Sequence, residues 1–275
     1  VRRRHAAVPG ALHRGGGRRG VRHRRLMPAA LQGVRAALRL SRCVAHSLHC
    51  AVIVGLRFRS LDAGQRHARI GWWSTKMLRL MGVALQTEGA PIAGGVLLVA
   101  NHVSWLDILA VHAVLPHARF VAKADVKSWP VIARLVNAAD TLYLERERKR
   151  DALRVVHLMA QALQQGQTVV VFPEGTTSDG QVLLPFHANL LQAAIASGAP
   201  VQPVALRFSD ASGPVSCAVE FVGATTLIQS LWRVACGQGV RVRVSLLAPR
   251  TAALADRRVL GEALRADIVA RLAQG

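Results

Sequence analysis

The sequence predicts an α/β fold: a mixed, largely parallel sheet flanked by helices, with an N-terminal membrane-associating helical segment. Three observations lead there. From Gly94 onward, short apolar runs alternate with amphipathic stretches of 10 to 15 residues, the pattern of strands joined by crossover helices. Two of those runs, Val96–Ala100 and Thr168–Val171, lead straight into polar clusters, Asn101-His102-Val103-Ser104-Trp105-Leu106-Asp107 and Phe172-Pro173-Glu174-Gly175-Thr176-Thr177-Ser178-Asp179-Gly180. Ligands of open α/β sheets bind at the carboxyl ends of strands, so two clusters placed there point to one shared site. Third, residues 27–85 mix long apolar side chains, a Trp pair and cations.

Residues 1–26 are rich in Arg and Gly and hold no acid, and such a stretch buries too little surface to offset its ordering entropy. It is expected to be a disordered basic tail. It reads either as a polybasic membrane tether or as a stretch upstream of a start at Met27, and no apolar core follows its charges as in a signal peptide. Residues 27–85 are expected to form the membrane-associating segment and 86–275 the α/β domain. Cys43–Leu56, bounded by Arg42 and Arg57, is 14 residues long, short of the roughly 20 that span a bilayer, and suits a buried or interfacial helix. Ile70–Met81, with Trp72, Trp73, Lys76 and Arg79, has the mixture found at the headgroup boundary.

Within the α/β domain, strand 96–100 precedes an apolar helix over Ile108–Leu115, ended near Pro116. A short strand at Arg119–Ala122 follows, then a helix over Lys127–Ala138 with Pro130 in its first turn, where a missing N–H is tolerated. Thr141–Leu144 is a strand running into Glu145-Arg146-Glu147-Arg148-Lys149-Arg150. Asp151 is expected to cap a helix whose Leu153, Val156, Ala160 and Leu163 share one face, stopped by Gly166. Strand 168–172, a helix over His187–Ala196 ended by Gly198, and strands at Val201–Phe208, Ser216–Val222 and Val240–Leu247 come next. Leu260, Leu264, Ile268 and Leu272, spaced by four, mark a closing amphipathic helix.

The formal charge is +21 over 275 residues; nine Arg lie in the first 25, which leaves 27 basic against 15 acidic residues in the rest. A basic body favours anionic lipid, acidic substrates or nucleic acid. No nucleic acid is expected, because one Tyr, six Phe and scattered Trp offer no stacking platform interleaved with cations. Cys43, Cys50, Cys217 and Cys236 form no C-x-x-C pair, so neither structural zinc nor a disulfide framework is expected; Cys43 and Cys50, seven apart, suit packing on one helix face. No metal site is expected.

His102 has the chemistry of a general base, since an imidazole titrates near neutral pH. Asp107, five residues on, reaches Nδ1–H if the chain turns from strand to helix between them, and would then hold the tautomer and stabilise the imidazolium. The chain has no G-x-S-x-G elbow, so a substrate hydroxyl rather than Ser104 would be the nucleophile. In the second cluster a Gly-containing turn offers backbone N–H groups and the Thr176 and Thr177 hydroxyls to an anion. Glu174 repels a phosphate unless it pairs with an Arg, for which Arg146 is the nearest strand-end candidate, or accepts a hydroxyl.

The N-H-V-S-W-L-D run resembles the N-H-x-S-x-x-D signature of the glycerolipid (1-acylglycerol-3-phosphate type) acyltransferases, and F-P-E-G-T-T-S-D-G resembles their F-P-E-G-T-R-S block. Lys123–Pro130 through Tyr143–Arg146, and Val201–Leu206, are similar to two further blocks, so the resemblance covers residues 70–250. It implies transfer of a fatty acyl group from acyl-CoA or acyl-carrier protein, as co-substrate and with no cofactor, to a lysophospholipid, typically 1-acylglycerol 3-phosphate. By position, His102 would be the base and Asp107 its orienter. Arg146, Glu174, Gly175, Thr176 and Thr177 would bind the acceptor, with Asn101, Ser104, Lys123 and Pro173 in support. The family's habit also implies the inner membrane, with the active site facing the cytoplasm. Two positions depart from the pattern: Thr177 stands where many members carry Arg, and Asp140 where they commonly carry Gly. The first removes a bidentate anion contact, so a branch that acylates lyso-ornithine lipid is the alternative. Readings of other classes are a non-enzymatic basic protein of membrane surfaces or nucleic acid, and a soluble hydrolase, which the missing serine elbow opposes.

Overall fold

The computed structural model describes residues 29–123, 130–144 and 149–274. Among them, seven strands form one sheet in the order β1-β7-β6-β2-β5-β3-β4. These are β1 (Ala84–Glu88), β2 (Val96–Ala100), β3 (Arg119–Lys123), β4 (Leu142–Leu144), β5 (Thr168–Val171), β6 (Val201–Ser209) and β7 (Arg241–Leu246). Every neighbouring pair is parallel except β6 and β7, so the sheet is mixed and largely parallel, as its sequence predicts. β2 and β5 lie at its centre and pair directly, Val96 opposite Thr168 and Val99 opposite Val171. That register brings their carboxyl ends, and hence both polar clusters, to the same point. Both strands are wholly buried, which explains why their sequences are continuous apolar runs.

Helices cover both faces. On one lie α1 (Ala29–Leu56), α2 (Ala63–Met81), α3 (Leu106–Val114) and α7 (Leu227–Cys236), packed over Leu98, Ala100, Val204, Leu206 and Phe208. On the other lie α5 (Lys149–Gln164), α6 (Gln192–Ser197) and α8 (Arg257–Ala273), over Leu97, Val99, Val201 and Ala205. The remaining helix, α4 (Pro130–Ala138), contacts α1.

The structure corrects several local expectations. The apolar helix is not confined to residues 43–56: α1 runs 28 residues and is long and apolar enough, by length and composition, to cross a membrane. Its Ala36, Cys43, His46 and Cys50 are buried, whereas Leu31, Val34, Leu38, Leu48, Val52 and Leu56 form an exposed apolar stripe. Arg35 and Arg39 tie it to the protein by donating to the carbonyls of Ala235, Cys236 and Gly237 at the end of α7. Ser216–Val222 is not a strand; Ser216 N–H donates to the Phe208 carbonyl and its hydroxyl to Asp210, folding the segment back as a turn. Asp151 does not cap α5 but sits in its first turn, bonded to Arg154. Leu153 is 72 % exposed, and the buried face of α5 instead runs through Val155, Met159, Ala162 and Leu163. The helix expected at His187–Ala196 divides into a 3-10 turn, Ala188–Leu191, and the short α6. β1 and α7 are additions, the latter started by a reciprocal capping box between Thr226 and Gln229. Asp140 adopts φ +51°, a left-handed backbone natural to the Gly common at this place in the family it resembles.

His112, on α3, is buried against the Phe120 ring, and its Nδ1 has no hydrogen-bond partner among the described residues. Burial, with lesser repulsion from His117 and His67, pushes its pKa down to about 4. The unfolded chain therefore takes up a proton near pH 6.5 that the folded one refuses. Stability is expected to fall as pH drops from about 6.5 to 4, by about 3 kcal/mol. Urea unfolding midpoints across that range should fall for the wild type and much less for His112→Leu. Equal slopes would show that His112 is not the sensing group.

Candidate active site

The site begins where β2 ends. Asn101, next after the strand, is buried and clamps β6: its side-chain amide donates to the Leu206 carbonyl and its side-chain oxygen accepts the Leu206 N–H, at 2.9 and 2.7 Å. The chain then turns into α3, and Asp107, in the first turn, folds its carboxylate back over the turn. Its Oδ2 accepts the backbone N–H of Val103 at 2.7 Å and of Ser104 at 2.9 Å, and lies 2.7 Å from Nδ1 of His102. Asp107 is fully buried while the His102 side chain is 20 % exposed. An ionised carboxylate only accepts, so Nδ1 carries the proton and Nε2 is left as the basic nitrogen. The five-residue spacing works because one strand-to-helix turn places the carboxylate beneath the imidazole.

The second cluster closes on the first. Glu174 is buried and links the two backbones: Oε1 accepts the His102 N–H at 2.6 Å, and Oε2 accepts the Leu184 N–H at 2.9 Å. Burial raises its pKa, opposed by those two N–H donors. Ser178 adds a second tie, its N–H donating to the His102 carbonyl at 2.8 Å. The Phe172 ring stacks on the His102 imidazole with centroids 4.1 Å apart and planes 14° from parallel, and Phe120 stacks behind it. The imidazole is thus held at one edge by a carboxylate and along one face by an aromatic ring.

Around this centre, Gly175 adopts φ +70°, the left-handed turn that lets the bend close, and its N–H donates to the Phe172 carbonyl. The Pro173 carbonyl accepts from His187 N–H. Thr176 is exposed, whereas the Thr177 hydroxyl turns inward and donates to the Phe221 carbonyl. The Ser104 hydroxyl is fully buried without a partner among the described residues and is not hydrogen-bonded to His102. Lys123 ends β3. Arg146 lies outside the described residues.

Sequence reasoning places His102 and Asp107 together but misses what Glu174, Phe172 and Ser178 do. For Glu174 the signal is its oddness: a carboxylate in a bend expected to bind an anion needs partners, and among the described residues two backbone N–H groups supply them. The Phe172 ring carried no signal beyond its place at a strand end. Chemically, the arrangement suits withdrawal of a proton from a hydroxyl by Nε2, with the resulting imidazolium stabilised by Asp107.

A profile of the family described as "Acyltransferase" matches residues 83–207, which span β1 to β6 and contain both clusters. The chain is 37% identical over 212 residues to a 1-acyl-sn-glycerol-3-phosphate acyltransferase of Neisseria meningitidis, covering 74% of this chain and 81% of that one. It is 33% identical over 250 residues to the lyso-ornithine lipid O-acyltransferase of Pseudomonas aeruginosa, covering 89% and 94%. Among solved structures, the crystal structure of the 1-acyl-sn-glycerophosphate acyltransferase of Thermotoga maritima superposes with a TM-score of 0.62 over 86% of this chain and 97% of that one. At 19% identity, that likeness speaks for the fold alone.

Proposed function

Because the chain belongs to the acyltransferase family, we propose that it moves a fatty acyl group from acyl-CoA or acyl-carrier protein to the free hydroxyl of a lysophospholipid, foremost 1-acyl-sn-glycerol 3-phosphate, to give phosphatidic acid. The observation that carries this reading is the His102 and Asp107 pair, bonded through Glu174 to the bend at Gly175. Nε2 takes the hydroxyl proton as the oxygen attacks the thioester carbonyl; the C–S bond then breaks, and the imidazolium returns the proton to the departing thiolate. Asp107 stays ionised throughout and holds the ring. His102 and Asp107 are the catalytic pair, Gly175 and Thr176 face the acceptor with Arg146 on its phosphate, and Glu174 positions both loops. The exposed stripe of α1, with Trp72 and Lys76 on α2, seats the enzyme on the inner membrane with the site toward the cytoplasm.

One observation favours a second acceptor. The Thr177 hydroxyl is spent on the Phe221 carbonyl, so this position offers a phosphate no cation. The relative from Pseudomonas aeruginosa, matched over nearly its whole length, is named for a lyso-ornithine lipid. Membranes containing the protein, given radiolabelled acyl donor and a panel of lyso-acceptors, separate the two. Label is expected in phosphatidic acid; label in ornithine lipid alone would transfer the assignment, and label in neither would end it.

A further inference from the structure

Among the described residues, Arg207 is an arginine with no carboxylate beside it. It is partly buried near the end of β6, its Nη1 is enclosed with no hydrogen-bond partner, and no carboxylate pairs with it among the described residues. The register sets it directly opposite Arg243 on β7, with Arg241 two pairs nearer the end of the ladder, opposite Ser209. Like charges facing each other across a strand pair repel, and an enclosed guanidinium nitrogen without an acceptor is costly. Arg243 pairs with Glu88, which also takes Arg271. Such an arrangement is accounted for when a ligand brings the missing negative charge.

Its place says which ligand. β6 is parallel to β2 with Val204 opposite Ala100, so Arg207 lies beyond the end of β2, beside the loop that holds His102. The bonds of its neighbour Leu206 to Asn101 fix Arg207 beside that loop. Yet strand alternation turns its side chain to the face of Ala205 and α8, away from α1, α2 and the apolar stripe. An anion arriving here comes from the aqueous side of the sheet, not with the membrane-borne acceptor.

We propose that Arg207, backed by Arg241 and Arg243, binds the phosphate of the acyl donor's pantetheine arm, the group that acyl-CoA and acyl-carrier protein share. A guanidinium fork is matched to phosphate oxygens, and the flexible arm beyond the phosphate carries the thioester round the Gly180 loop to His102. The inference rests on the thioester donor of the preceding section.

The test compares donors that carry one acyl chain on pantetheine, on 4′-phosphopantetheine, on CoA and on carrier protein, with the wild type, Arg207→Gln and Arg207→Lys. For Arg207→Gln the donor KM is expected to rise about tenfold with all three phosphorylated donors and to stay unchanged with acyl-pantetheine, with kcat within twofold. Arg207→Lys should recover part of the loss. A rise confined to CoA would place the adenosine phosphates here instead and overturn the proposal, as would an equal loss with all four donors, no loss at all, or a change in acceptor KM alone. Should Arg207→Gln fail to fold, calorimetry of 4′-phosphopantetheine binding to the wild type and to Arg243→Gln decides: saturable binding weakened by the variant is expected, and no binding to the wild type refutes the site. A wild type that acylates no lysolipid yet binds 4′-phosphopantetheine would count against the proposed function and not against this site.

Discussion

Replacing His102 with alanine is expected to lower kcat about a thousandfold while leaving the fold and lipid association intact. The magnitude is that of a positioned general base removed from an addition to a carbonyl. The fold should survive because the residue's structural ties run through its backbone, N–H to Glu174 and carbonyl to Ser178, which alanine retains. Asp107→Asn is expected to cost about a hundredfold. An asparagine oxygen can still serve the Val103 and Ser104 N–H groups, but an amide stabilises no imidazolium, and its NH2 turned toward Nδ1 would favour the wrong tautomer. Steady-state kinetics at saturating donor, with circular dichroism to verify folding, checks both. Retention of more than a tenth of wild-type kcat by His102→Ala would remove the imidazole from the reaction.

Glu174→Ala carries the other large effect, and it falls on structure as well as rate. Its carboxylate accepts two backbone N–H groups, His102 in the first motif loop and Leu184 just past the second, and alanine strands both donors. At about 1–3 kcal/mol for each donor left unsatisfied, a loss of about 3 kcal/mol of stability is expected. The loops then lose their common anchor, and kcat/KM should fall at least as far as in Asp107→Asn. Glu174→Gln keeps one acceptor oxygen but aims an NH2 at the other donor, so it should lie between alanine and the wild type. Hydrogen exchange read at the amides of His102 and Leu184 reports the bridge directly. Unchanged protection of both amides in Glu174→Ala would show that the bridge does not hold the loops.

The parts of the molecule that could be read from the chain are those set by neighbours in sequence. Val96–Ala100 and Thr168–Val171 announce themselves because strands buried on both faces need unbroken apolar runs, and the spacing of His102 and Asp107 suffices for one turn to join them. Ala84–Glu88 escaped notice because an edge strand with mostly exposed side chains has no apolar signature; it exists by pairing with β7, far along the chain. Ser216–Val222 has a strand's composition, but the bonds of Ser216 to Phe208 and Asp210 turn it back. Leu153 fits a helical stripe on paper, yet the way α5 lies on the sheet turns the face of Val155 and Met159 inward.

The chain by itself determined the alternation of strands and helices, the two clusters at strand ends, and the imidazole with its carboxylate, since each depends on side-chain periodicity or a single turn. Tertiary structure decided that Glu174 accepts two backbone N–H groups, that Thr177 is spent on a carbonyl, and that Arg207 stands opposite Arg243 with no carboxylate partner among the described residues. The reason is physical: a polar side chain takes whichever partner the folded chain brings within hydrogen-bond reach. Those partners come from strands and loops tens of residues away, where local pattern carries no information.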